Sequence, residues 1–224
     1  MHEWSVQVNT DNPTYPFIVI DNWYNPEEEK AVWTELDFFT ANSLTVMDRA
    51  ENTVVARDLD GTSKSKAYRV YVDNYYVHRK VSPILKFTNK LLTKEFADIM
   101  SQCEPYCRSF FSSNTDNTMV SYYEENDHYR QHHDTFLWTT LIWFVKEPRL
   151  FDGGNFVLND LGYEIKLKHN RMVMFPSCFM HSVTPVKFHT DPKEPGYGRW
   201  TITHFYGSAA ADTTHETKKV DENK

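Results

Sequence analysis

The stretch YRQHHDTFLW (129–138) places two histidines and an aspartate in succession, His132-His133-Asp134, inside an aromatic, apolar run. Neutral imidazoles and carboxylates are ligands for transition metals. In an extended strand, residues two apart share a face and the residue between them points away. His132 and Asp134 therefore reach toward one ion together, and His133 turns outward. A mononuclear non-haem iron site takes two histidines and one carboxylate on one face of an octahedron and leaves the remaining positions open. The third ligand must come from a distant strand. His181 is best placed, at the start of the β-rich run that follows MFPSCFM. His204 falls on the opposite strand face from Arg199, and His169 and His189 sit in turns. Taken alone, the H-x-D spacing is shared with ordinary polar turns, so the surrounding elements must decide between the two.

From about residue 105 onward the sequence is a succession of short β-rich runs: MVSYY (119–123), FLWTTLIWFV (136–145), NFVLN (155–159), YEIKL (163–167), RMVMFP (171–176), HSVTPV (181–186) and RWTITHFY (199–206). Turn signals separate them, among them Asn126-Asp127, Asp152-Gly153-Gly154 and Asp160-Leu161-Gly162. Such spacing predicts an antiparallel barrel or sandwich. Upstream, PFIVIDNW (16–23) reads as a strand. Asn25-Pro26 followed by three glutamates reads as a capped helix start, continuing through Ala31–Phe39. YRVYVDNYY (68–76) is strand-like, and a second helix is predicted from Ser82-Pro83-Ile84 through Ile99 by its helical apolar spacing. Residues 40–66 form a loop-rich excursion. The polar stretch 212–224 is expected to be disordered. Helices beside an antiparallel sheet give an α+β class. The expected organisation is one domain over 1–211, with a helical and loop-rich part to about 104 and a barrel from about 105.

The 224 residues suffice for a substantial core. A net charge of −7 weighs against a partner bound through a nucleic-acid backbone. No apolar run is long enough to span a membrane, and the N-terminal residues lack the basic-then-apolar pattern of a secretory signal. The three cysteines, Cys103, Cys107 and Cys178, read as reduced thiols of a cytoplasmic protein rather than a disulfide framework.

The order and spacing of the β-rich half resemble the 2-oxoglutarate/Fe(II)-dependent dioxygenases, in particular the prolyl-4-hydroxylase-like branch. That branch carries Y-x-x-G-x-x-[YF]-x-x-H-x-D. Tyr123, Tyr129, His132 and Asp134 occupy the matching places in YYEENDHYRQHHD, with Asn126 in place of the glycine. Asparagine also tolerates the positive φ such a turn requires. TTLIWF, the pair Gly153-Gly154 followed by Phe156, RMVMFPSCFMHSVTPV and GRWTITHFY continue the match in order over about 119–206. FIVIDNWYNPEEEKAVWTEL looks like the strand-plus-helix opening of this group. The resemblance implies a double-stranded β-helix (jelly-roll, cupin-like) barrel with the N-terminal helices packed on one sheet.

It also implies roles. His132, Asp134 and His181 would bind Fe(II). Arg199 would pair bidentately with the distal carboxylate of 2-oxoglutarate. Thr201, on the same strand face, would add a hydroxyl, and Tyr123 would donate to the same carboxylate. Trp143 stands where a tyrosine is frequent and would line that wall, with Thr139 and Leu141 on its strand face. A further departure is the long interval from His181 to Arg199, read as a surface insertion, KFHTDPKEPGYG. Lys187 is the one rival to Arg199 and stands close to His181. The implied reaction consumes O2 and 2-oxoglutarate, releases succinate and CO2, and hydroxylates a C–H bond, with ascorbate in a supporting role. An aspartate at 134, rather than the small residue of halogenating relatives, favours hydroxylation. The substrate is expected to be a protein or peptide. The alternatives are a free amino acid, a small metabolite or a nucleic-acid base, or a non-catalytic metal-binding module. Segment 40–80, rich in Tyr, Arg and Lys, is where a substrate lid would lie.

Overall fold

The computed structural model describes residues 2–41, 46–192 and 194–209. The stretch expected to be disordered, 212–224, lies outside the described residues. In chain order the strands are β1 (Ser5–Asn9), β2 (Phe17–Asp21), β3 (Asp48–Arg49), β4 (Ser65–Lys66), β5 (Tyr68–Tyr71), β6 (Thr115–Tyr123), β7 (His128–His132), β8 (Trp138–Phe144), β9 (Phe151–Gly153), β10 (Phe156–Leu158), β11 (Tyr163–Ile165), β12 (Arg171–Pro176), β13 (His181–Val183), β14 (Val186–Phe188) and β15 (Arg199–Gly207). An eight-stranded sheet runs β1-β2-β12-β8-β15-β6-β5-β3, and a five-stranded sheet runs β11-β10-β13-β7-β4. All the pairings are antiparallel.

The central strands β8 and β15 are buried along their whole length. The period of two shows why. One set of alternate residues (Phe17, Val19, Leu141, Trp143, Val173, Phe175) faces an inner core shared with the five-stranded sheet. The other set (Ile18, Ile20, Ile142, Phe144, Met172, Met174, Trp200, Ile202) faces an outer core filled by the helices. Strands covered on both faces read as continuous apolar runs rather than alternating ones. The expected jelly-roll core with helices on one sheet is what the chain forms.

Helix α1 (Pro26–Ala41) begins at a reciprocal cap: Asn25 Oδ1 accepts from the amides of Glu27 and Glu28, and Glu28 Oε2 accepts from the Asn25 amide. Its buried face carries Val32, Leu36 and Phe39 into the outer core.

Three elements differ from expectation. YRVYVDNYY leaves the sheet after Tyr71 and turns into the short helix α2 (Val72–Tyr75). The Asp73 carboxylate takes the Thr118 amide on β6, so the ladder cannot continue there. The helix expected from Ser82 is divided into α3 (Pro83–Lys86), a 3-10 turn over Phe87–Leu92 and α4 (Lys94–Met100). Thr93 adopts an extended conformation and its hydroxyl caps a new helix at the Phe96 amide, a competition with helix interiors typical of threonine. HSVTPV divides into β13 and β14, because Pro185 has no N–H for the ladder and the chain crosses to pair with β9. A last short helix, α5 (Cys107–Phe111), packs its Phe110 into the outer core.

Candidate metal centre

β7 and β13 are neighbours, and His132 lies directly opposite His181 across the pair. β7 ends at His132, and the chain then turns so that the Asp134 amide donates to the Ser177 carbonyl. His132, Asp134 and His181 thereby bring one ligand atom each within 4.8 Å of one another. His133 is exposed and points away from them.

The histidine protonation follows from the backbone. His132 Nδ1 lies 2.8 Å from the Arg130 carbonyl, and His181 Nδ1 lies 2.8 Å from the Phe179 carbonyl. A carbonyl only accepts, so each Nδ1 carries a proton, and in the neutral ring each Nε2 presents its lone pair to the site. Those Nε2 atoms stand 3.7 Å and 3.6 Å from the Asp134 oxygens. Burial, reinforced by the neighbouring His181, pushes His132 far below its ordinary pKa and keeps it neutral. His132 and Asp134 are thus converging donors rather than an ion pair. Tyr129 stacks flat on the His132 ring, with centroids 3.4 Å apart.

Asp134 is oriented by a relay that the sequence motif does not display. The Thr139 hydroxyl donates to Asp134 Oδ2 at 2.7 Å and lies 2.8 Å from the Ser177 hydroxyl, which is fully buried. Thr139 shares a β8 face with Leu141 and Trp143, but no spacing rule links it to Ser177, 38 residues away.

Arg199 begins β15 opposite Tyr123 at the end of β6. It is 0% exposed, and no carboxylate among the described residues lies within ion-pair distance of it. Its Nε donates to the Gly154 carbonyl at 2.7 Å, Nη1 donates to Thr201 Oγ1, and Nη2 is buried without a partner. The guanidinium lies 4.7 Å over the Tyr123 ring and 5.7 Å over that of Trp143, whose indole N–H is also buried and unpartnered. Burial lowers the Arg199 pKa to about 10, with Tyr123 opposing the shift, so the cation persists at neutral pH. Arg199, Thr201, Thr203 and Phe205 share one strand face and line a narrow cavity of about 40 Å³ with Tyr123, Leu141 and the three metal-type residues. Gly153 and Gly154 both have positive φ, and a Cβ on Gly154 would meet Arg199 Cδ at 2.8 Å. Asn126 adopts the positive φ (65°) expected of it.

The other histidines lie elsewhere. His204 is buried on the opposite face of β15 against Thr118, His169 contacts Glu29, and His189 is exposed. Lys187 is exposed beside Asn126 and Glu125.

Residues 118–207 match the family model of the 2OG-Fe(II) oxygenase superfamily. The matched stretch runs from β6 to β15. A PKHD-type hydroxylase of Nitrosomonas europaea is 42% identical over 45 residues, which are 19% of this chain and 20% of that protein. The fold is similar to that of solved prolyl 4-hydroxylases. A Pseudomonas putida prolyl-4-hydroxylase superposes over 94% of this chain and 95% of its own, at TM-score 0.53 and 14% identity. A prolyl 4-hydroxylase of Phytophthora capsici superposes over 86% of this chain and 59% of its own, at TM-score 0.53 and 14% identity. A 2OG-Fe(II) family oxidoreductase of Burkholderia pseudomallei reaches TM-score 0.52 at 15% identity, over 85% and 84% of the two chains.

The cofactors of the superfamily, Fe(II) and 2-oxoglutarate, fit the residues present. Two imidazole lone pairs and a carboxylate are a donor set for Fe(II). A buried guanidinium with an orphaned Nη2, beside an orphaned indole N–H, is a cradle for a carboxylate.

Proposed function

We propose that the protein is an Fe(II)- and 2-oxoglutarate-dependent dioxygenase that hydroxylates a C–H bond, most closely in the manner of a prolyl-4-hydroxylase-like protein or peptide hydroxylase. The observation that carries the reading is the pairing of two features in one cavity: three convergent metal-type donors, and a fully buried arginine without a carboxylate of its own.

In this reading His132, Asp134 and His181 hold the iron on one face. Arg199 receives the distal carboxylate of 2-oxoglutarate, with Thr201, Tyr123 and Trp143 around it. When bound, the iron and 2-oxoglutarate supply O2 activation coupled to decarboxylation, with one oxygen atom leaving in succinate and the other entering the substrate. The chain does the rest. The Nδ1–H bonds to Arg130 and Phe179 fix both imidazoles in the ligating tautomer. Thr139 holds the carboxylate rotamer of Asp134. The apolar wall of Leu141, Phe156 and Val183 excludes water from the reacting atoms. The protein acts as a single domain over 1–211, in which 105–211 is the catalytic barrel, and works in the cytoplasm with its three cysteines as free thiols. No helix among the described residues is long and apolar enough to cross a membrane.

Purified protein with Fe(II), ascorbate and 2-oxoglutarate should release succinate slowly without added substrate, and His132→Ala or Asp134→Ala should abolish the release. Absence of succinate from the wild type under these conditions would overturn the reading. Arg199→Ala should raise the 2-oxoglutarate requirement far more than the iron requirement. Mass spectrometry for +16 Da products across peptide and amino-acid pools identifies the substrate.

A further inference from the structure

Two arginines are buried among the described residues, Arg199 and Arg69. Other arginines in ion pairs have carboxylates at hand: Arg49 has Asp127, Arg171 has Asp21, and Arg79 has Asp73 and Asp116. Arg69 is 3% exposed, yet no carboxylate among the described residues lies within ion-pair distance of it. Its one hydrogen bond, 2.8 Å from Nη2, goes to the neutral hydroxyl of buried Ser65, and its Nε is buried without any partner. A buried guanidinium without an anion keeps its desolvation cost uncompensated, so the donors are arranged for an anion the chain itself does not provide.

The placement says which anion. Arg69 lies on β5 opposite Ser121, and Ser121 lies opposite Thr201, so the three form one row across the inner face of the large sheet. Ser121 and Thr201 line the metal cavity. Arg69 also lies over the Tyr129 ring at 5.7 Å, and Tyr129 stacks on His132. Arg69 itself lines an open cleft of about 840 Å³, with Asp48, Asn52, Arg57, Tyr71 and Tyr75 around it. A cleft of that size takes a small molecule or a short stretch of peptide. Arg69 is thus the charged step between an open cleft and the metal-type residues, on the far side of Thr201 and Tyr123 from Arg199.

We infer that Arg69 is the anchor for a carboxylate of the primary substrate, so that the hydroxylated molecule is a free acid or a chain with a carboxylate near the reacting carbon. This rests on the dioxygenase reading. It divides the two buried cations between two acids, Arg199 for 2-oxoglutarate and Arg69 for the substrate.

The test follows the Nε–H resonances of the two buried arginines in full-length, 15N-arginine-labelled protein loaded with Zn(II) in place of iron. Arg69→Lys and Arg199→Lys assign them, and Arg69→Gln replaces the first if it does not fold. 2-Oxoglutarate should shift the Arg199 resonance. Acetate, the smallest carboxylate probe, added to the 2-oxoglutarate-saturated protein should shift the Arg69 resonance saturably. A shift at Arg199 with no acetate response at Arg69 overturns the substrate anchor and leaves the dioxygenase reading standing. A response at Arg69 with no 2-oxoglutarate response at Arg199 overturns the dioxygenase reading instead. The +16 Da screen, run on free amino acids and on peptides with free or amidated carboxyls, separates the sources of the carboxylate. Products should vanish on amidation, and hydroxylation of amidated and free forms alike also overturns the anchor.

Discussion

Thr139→Val removes one hydroxyl and keeps the shape of the side chain. In the wild type that hydroxyl donates to Asp134 Oδ2 at 2.7 Å and sits 2.8 Å from Ser177 Oγ. A hydrogen bond to a charged group contributes about 1.5–3 kcal/mol. Loss of a partner that orients a metal ligand costs roughly 10–100-fold in metal affinity, equivalent to about 1.4–2.7 kcal/mol, and the two ranges agree. Because Asp134 is itself partly exposed, water can replace some of the lost bond, so the expected loss lies toward the lower end, about 10–30-fold. Ser177, fully buried, loses a partner too, and the fold should be destabilised by about 1 kcal/mol or more. The assay is metal titration of the purified variant under argon, followed by competition with a chelator of known affinity, alongside urea denaturation of the metal-free form. An affinity within threefold of wild type would refute the idea that Thr139 holds the carboxylate in its ligating rotamer, whatever happened to stability.

His133→Ala should leave metal affinity within about threefold, as for an exposed side chain away from the site, whereas His132→Ala should abolish binding; equal losses in the two titrations would contradict the assigned faces. Gly154→Ala places a methyl 2.8 Å from Arg199 Cδ at a residue with φ +66°. It should cost about 1–2 kcal/mol of stability from backbone strain and raise the 2-oxoglutarate Kd with little effect on metal affinity, both readable by calorimetry. His204 is buried neutral, with its pKa lowered by burial to about 3 from the ordinary 6.5 of histidine. Between those two values the unfolded chain binds a proton that the folded chain does not, so stability falls as pH drops through about 6.5. One pH unit below that point the loss is about 1.4 kcal/mol, which His204→Gln should remove; parallel urea midpoints from pH 7.5 to 5.5 in the two proteins would count against it.

Much of the barrel was legible because its strands are short, apolar and separated by turn residues whose geometry demands them. Asn126, Gly153 and Gly154 all adopt the positive φ that their types suggested. The period of two was enough to direct His132 inward and His133 outward. It was also enough to divide β15 into an inner face of Arg199, Thr201, Thr203 and Phe205 and an outer face of Trp200, Ile202 and Tyr206. What stayed hidden depends on single side chains competing for backbone groups. Asp73 ends β5 by taking an amide from β6, and Thr93 restarts a helix that apolar spacing carried straight through. The Thr139–Ser177 relay and the burial of Arg69 are contacts between residues far apart in sequence, set by the register of strands rather than by any local pattern. Strand β1 also escaped notice: SVQVN is short, lies at the sheet edge and is mostly exposed.

The eight-stranded sheet has consequences for how small a working piece of this protein can be. Residues 118–207 carry the family match, but they supply only one side of that sheet's burial. Its far side, with Ile142, Phe144, Met172, Trp200 and Ile202, is sealed by Val32, Leu36, Phe39 and Phe96 from the first hundred residues, and β2 and β5 complete the strand order. Excising the matching region would leave a wall of tryptophan, phenylalanine and isoleucine facing water and two open strand edges, the usual recipe for aggregation. The N-terminal hundred residues are therefore a structural half of the barrel, and shortening for expression or grafting onto another scaffold has to keep both halves together.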